Sequence, residues 1–129
     1  MTKANVFISF DYEHDKELRD LLQAQDKNLD SPFQMTSCSV EELLTDAWQK
    51  KIRERIRQVD QVIFLCGKFT NGARGVDLEY TIAQEEGKPY FLLQGRKDKA
   101  CRTPRRAKES DKVYAWTWDN LKSLVGGAR

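Results

Sequence analysis

Two kinds of hydrophobic block alternate along the chain. Val6-Phe7-Ile8-Ser9-Phe10, Val62-Ile63-Phe64-Leu65-Cys66 and Tyr90-Phe91-Leu92-Leu93 are short and apolar almost throughout. Blocks of that length with no polar face predict strands covered on both sides. Phe33 to Ser37 is a weaker strand signal, and Val113 to Trp116 predicts a final short strand. Between these blocks, apolar residues return every three or four positions, the spacing of a helix with one buried face. Asp15 is placed to cap a helix carrying Leu18, Leu21 and Leu22. Ser39 with Glu42 matches a capping box, and Val40, Leu43, Leu44, Ala47, Trp48, Ile52 and Ile56 follow on one face. Val76 to Glu86 predicts a third helix, closed by Gly87 ahead of Lys88-Pro89. Thr117 can cap a last helix with Trp118, Leu121 and Val125. Asn28 to Pro32 and Asn71-Gly72 carry turn chemistry.

Buried strands alternating with amphipathic helices predict a mostly parallel sheet with helices on both faces. The expected fold class is α/β: a flavodoxin-like three-layer sandwich of four or five strands in the order 2-1-3-4-5. Ligands of such folds bind outside the carboxyl ends of the strands, near the point where strand order reverses. That directs attention to three loops: Asp11 to Asp15, Gln34 to Ser39, and Cys66 to Gly75. A length of 129 residues fits a single domain over 1–129, with a core from about 5 to 125 and a tail at 126–129.

Composition narrows the function. Charged residues make up 33 % but cancel to a net +2, so no global field favours nucleic acid or membrane as a partner. No apolar run approaches the ~20 residues of a membrane span. Lys3 is not followed by the apolar stretch of a secretory signal. Cys38, Cys66 and Cys101 are too few for a disulfide framework, and with His14 the sole histidine they predict no metal site. Free thiols in a reducing cytoplasm are expected.

The first loop, Asp11-Tyr12-Glu13-His14-Asp15, has no glycine and three carboxylates. It excludes a Gly-rich dinucleotide turn, a Walker-type loop and a hydroxyl-rich phosphate loop, all of which must approach phosphate closely. Cys66-Gly67 stands where a phosphoacceptor domain needs an aspartate. Cys66 has no evident activating base and is expected to pack as a small core residue. On a helical wheel from Val76, Glu79 falls inside the apolar arc, between Leu78 and Ile82 on one side and Val76, Tyr80 and Ala83 on the other. A carboxylate there costs several kcal/mol unless it is paired or functional. The pattern alone divides evenly between a functional carboxylate and a buried ion pair with Arg55 or Arg74. Arg96 to Lys108 holds seven basic residues against one acid, Asp98. Without interleaved aromatics it is expected to be a solvated loop.

These motifs resemble the TIR (Toll/interleukin receptor) superfamily. The first strand ending in a polar loop with Asp15, the Trp48 helix running to Ile52 and Ile56, and Val62 to Thr70 are similar to a small TIR-like branch. Val76-Asp77-Leu78-Glu79 and Gly87-Lys88-Pro89 continue the likeness. That branch includes the TIR subunit of Thoeris antiphage systems, and the likeness covers about residues 5 to 94.

The resemblance implies an NAD-consuming enzyme, with NAD as substrate and no resident cofactor. Such enzymes cleave the nicotinamide–ribose bond and release ADP-ribose, or a cyclic or conjugated form of it, as an immune signal. It places the catalytic carboxylate at Glu79 and substrate contacts at Ser9, Phe10, Asp11, Tyr12 and Trp48. It also implies self-association through TIR–TIR contacts, a role in gating and assembly for Gln34 to Ser39, and a nucleotide-sensing effector that responds to the product. One departure is Gly75, where that branch commonly carries an aromatic four residues before the glutamate. Two alternatives to turnover stand beside the enzyme: a scaffold acting by homotypic assembly, and a nucleotide-binding sensor.

Overall fold

The computed structural model describes residues 4–28, 30–39, 45–96 and 100–127. Five strands, β1 (Ala4–Ser9), β2 (Phe33–Cys38), β3 (Gln61–Cys66), β4 (Tyr90–Gln94) and β5 (Val113–Ala115), form one sheet. Four helices, α1 (Lys16–Asp26), α2 (Asp46–Arg57), α3 (Arg74–Glu85) and α4 (Trp118–Val125), connect or follow them. All pairings are parallel and the strand order is 2-1-3-4-5, as the hydrophobic pattern predicts.

The strands read as apolar throughout because successive side chains enter two different cores. Phe7, Val62, Phe64, Cys66 and Leu92 face one layer, where Trp48, Ile52 and Ile56 of α2 meet Val76, Tyr80 and Ala83 of α3. Val6, Ile8, Ile63, Leu65, Phe91 and Leu93 face the other, against Leu18 and Leu22 of α1 and Leu121, Leu124 and Val125 of α4. No helix among the described residues is long and apolar enough to cross a membrane.

The register between β1 and β2 slips once. Val6 lies opposite Met35 but Phe7 lies opposite Ser37, so Thr36 is an extra residue in β2. The irregularity falls on an edge strand, where the Met35 amide donates to Asp26 Oδ2 at 2.9 Å. Beyond it Ser39 arrives beside β1, and its amide donates to the Ile8 carbonyl at 2.9 Å.

Three local expectations are corrected. Gln34 to Cys38 is strand, so only Ser39 of that predicted loop lies past the end of β2. The described part of the second helix begins at Asp46, capped by the Thr45 hydroxyl accepting from the Trp48 amide. Ser39 does not act as the predicted cap, because its hydroxyl is engaged elsewhere, and Glu42 lies outside the described residues. Asp15 occupies the N-cap position of α1, but its side chain makes no capping bond. It is buried and pairs with Arg96 instead. The caps at Thr117 and the left-handed Gly87 (φ 65°) after α3 match the sequence pattern.

Candidate functional site

The site forms where β1, β2 and β3 end. Ser9 is the last residue of β1, Ser39 follows β2, and Glu79 lies on the first turns of α3, the helix that follows β3. Glu79 is 1 % exposed. Its Oε1 accepts from Ser9 Oγ at 2.6 Å and from Ser39 Oγ at 2.5 Å. Hydroxyl donors to a carboxylate are among the stronger protein hydrogen bonds, about 1.5–3 kcal/mol each, and they compensate for its removal from water. Ser39 Oγ also accepts from the Phe10 amide at 3.1 Å, which ties the β1 and β2 ends together. Of the arginines considered as ion-pair partners for Glu79, Arg74 lies in the wall of the neighbouring cavity, whereas Arg55 borders a separate groove with Asn5, Met35 and Cys38.

That cavity has a volume of about 750 Å³ and opens at the carboxyl ends of the strands. One wall is the first loop, with Asp11, Tyr12, Glu13 and His14, continued by Lys16 of α1. The other wall runs from Phe69 through the turn at Asn71-Gly72 to Arg74 at the start of α3. Asp11 is buried and fixes the loop: it accepts from the Glu13 amide at 3.1 Å and lies 2.7 Å from His14 Nδ1. The His14 ring packs at a tilt on Phe69, with centroids 4.6 Å apart. Lys16 Nζ sits 4.1 Å from the centre of the Tyr12 ring. The hydrogen bond that Asp11 accepts from the ring raises the His14 pKa above its usual 6.5, although partial desolvation opposes it.

A buried carboxylate supports the floor. Asp15 packs so closely on Gly67 that a Cβ there would sit 2.2 Å from Asp15 Oδ2, so any larger residue after β3 would have to displace this buried carboxylate. Burial pushes the Asp15 pKa up, and the hydrogen bond from Arg96 at 3.0 Å opposes that shift. Arg96 also donates to Glu17 and to the His14 carbonyl, which locks the first loop to the end of β4.

The sequence-derived residues therefore separate into three groups. Ser9 and Glu79 meet directly. Asp11 and Tyr12 line the cavity. Phe10 (1 % exposed) and Trp48 (4 % exposed) are packed into opposite cores and line no part of it. Ser39, His14 and Phe69 belong to the site and fall inside the three loops that the strand order indicates, but no signal singled them out as individual residues. Ser39 was hidden by its fit to a capping box. His14 and Phe69 are ordinary loop residues until the fold brings them together. Cys66 lies at 0 % exposure, and burial raises its pKa, which opposes thiolate formation.

The stretch after β4 is held more firmly than a solvated loop. The Arg102 amide donates to the Gly67 carbonyl, and the Arg106 amide donates to Asp77 on α3. Arg106 Nε also pairs with Asp77 at 3.2 Å. Asp111 accepts from the hydroxyls of Tyr80 and Tyr90 at 2.5 and 2.8 Å. The basic side chains at 102, 105, 106 and 108 remain exposed while the backbone between them is docked, and 97–99 lie outside the described residues.

Comparison with known proteins locates this arrangement. Among solved structures, the crystal structure of a prokaryotic SEFIR domain matches with a TM-score of 0.52 at 18 % identity, covering 96 % of this chain and 88 % of that one. At that identity the likeness concerns the fold. No curated protein gives a significant match. The family model described as Thoeris protein ThsB, TIR-like domain, matches residues 7–100, a span that takes in the first loop, Ser39, Gly67 and Glu79. With most of its length and its whole candidate site inside that match, the chain belongs to the Thoeris ThsB TIR-like domain family.

Proposed function

We propose that this domain cleaves the nicotinamide–ribose bond of NAD and releases ADP-ribose, or a cyclic or conjugated form of it, as a signal in antiphage immunity. The observation that carries the reading is Glu79, a buried carboxylate held by two hydroxyls at the carboxyl ends of β1 and β2. Breaking the bond builds positive charge on the ribose. A fixed carboxylate in a water-poor site stabilises that charge, and nicotinamide leaves as a neutral molecule without acid assistance. No second carboxylate is therefore needed to protonate the leaving group.

The adjacent cavity suits the rest of the ligand. Its size lies within the range of small-molecule sites. Tyr12 and Phe69 offer ring faces, and Lys16 and Arg74 supply positive charge beside the N-terminal end of α3. At 1 % exposure Glu79 is out of reach of a ribose, so we assign this arrangement to a resting form. Turnover then requires the Ser39 hydroxyl to withdraw from Glu79, and self-association or ligand binding supplies the free energy for that movement.

The test is nicotinamide release from NAD by the purified chain, with and without a crowding agent that favours assembly. Glu79→Gln keeps the shape and removes the charge. Its expected effect is a loss of about 10²–10³-fold. Equal release by both proteins removes Glu79 from the chemistry. No release by the assembled wild type favours a scaffold or a nucleotide sensor.

A further inference from the structure

The Asp11–His14 pair is not needed to hold Glu79, yet it has the geometry of a proton acceptor. Asp11 is buried, and its Oδ2 lies 2.7 Å from His14 Nδ1. An ionised carboxylate can only accept, so Nδ1 carries a hydrogen and, in the neutral ring, Nε2 carries the lone pair. Nε2 has no hydrogen-bond partner among the described residues, the side chain is 40 % exposed, and the ring lines the cavity. Packing on Phe69 fixes the ring plane. A base oriented by a buried acid and open to a ligand cavity is the arrangement used for general-base catalysis on unrelated folds.

Asp11 and Glu79 are also coupled through the chain. Ser9, which donates to Glu79, stands two residues before Asp11 at the end of the same strand. The carboxylate and the imidazole thus flank one strand terminus.

We infer that His14, oriented by Asp11, is the general base that takes the proton from the nucleophile capturing the ribose. The inference rests on the cleavage reading above. In the step, the C1′–N bond breaks and its electron pair leaves with neutral nicotinamide. A lone pair of water, or of a hydroxyl of the ADP-ribose itself, forms the new C1′–O bond. The proton displaced from that oxygen passes to Nε2 and then to solvent, and nothing is oxidised or reduced. The charged groups around the ring are Asp11, Glu13 and Asp15 of its own loop, Lys16 of α1, Lys68 before Phe69, Arg74 of α3, and Arg96, which donates to the His14 carbonyl.

His14 is the sole histidine, so its ring signals in a magnetic resonance titration are unambiguous. ADP-ribose is expected to move both the signals and the titration midpoint of the ring, and a midpoint unchanged at saturating ADP-ribose overturns the assignment. In kinetics, wild-type nicotinamide release should fall toward acid pH as the ring protonates. Asp11→Asn keeps an acceptor for Nδ1 but loses the charge, so the acid limb should move to lower pH. His14→Gln should slow release by about a hundredfold and abolish the limb. Release that keeps its wild-type acid limb in His14→Gln overturns the base role alone. Absence of release from the wild type overturns the cleavage reading and the base role with it.

Discussion

At the scale of single residues, the site turns on how Glu79 is compensated. The helical wheel places this carboxylate in an apolar arc, and the fold buries it there. What the wheel cannot supply is the partner, because Ser9 and Ser39 lie 70 and 40 residues away in sequence. Ser39 is the instructive case. Its spacing to Glu42 fits a helix cap, and nothing local distinguishes that use from a bond to a distant carboxylate. Ser39→Ala tests whether this hydroxyl holds a resting form. It should lower stability by about 1–3 kcal/mol, measured by urea unfolding. Because it also lowers the cost of uncovering Glu79, basal nicotinamide release should rise by up to about tenfold, the equivalent of 1.4 kcal/mol in the opening equilibrium. A fall in release would place Ser39 in the working geometry instead.

At the scale of elements, the strands and helix ends were legible where one local rule decided the outcome. Fully apolar blocks became β1, β3 and β4, and Gly87 and Thr117 ended or began helices as their chemistry dictates. The basic stretch was not legible. Its docking uses the backbone amides of residues 102, 106 and 108, which carry no side-chain signature. Arg96 begins that stretch and compensates Asp15. Arg96→Ala leaves a buried carboxylate without its cation, and because Arg96 is partly exposed the expected cost near neutral pH is about 1–3 kcal/mol. The sign of the pH dependence follows from the raised Asp15 pKa. The protonated acid is the form that burial favours, so the deficit is present above the folded-state pKa and shrinks as pH falls through it. Urea midpoints of the variant and wild type should therefore converge as pH falls through the Asp15 pKa, and a gap that stays constant with pH would refute this account of Asp15.

At the scale of the whole molecule, each central strand feeds both cores. Phe64 packs toward α2 and α3 while its neighbours Ile63 and Leu65 pack toward α1 and α4. Neither layer can lose its side of the sheet without exposing the other, so the domain should unfold in one transition. The tryptophans report the two layers separately: Trp48 belongs to the first, and Trp116 and Trp118 pack against the second. In Trp48→Phe, and in the double variant Trp116→Phe with Trp118→Phe, fluorescence and far-ultraviolet dichroism should give the same midpoint within each protein. Separate midpoints would mean that the layers come apart independently. The architecture itself was readable because parallel sheets covered on both faces leave no polar face on their central strands, and that pattern survives without any knowledge of the loops.

The extra residue in β2 has a consequence for anyone building chimaeras in this family. Beyond the irregularity Ser37 and Cys38 pair with Phe7 and Ile8, and Ser39 follows beside the same strand. Removing Thr36 would therefore leave an even ladder with Ser39 still facing Glu79. The strand thus has one residue of slack: a graft that is one residue shorter is absorbed at the irregularity. A second deletion would draw the strand end back by about 3.3 Å and turn Ser39 to the opposite face. The link between the second strand and the third helix would then be lost.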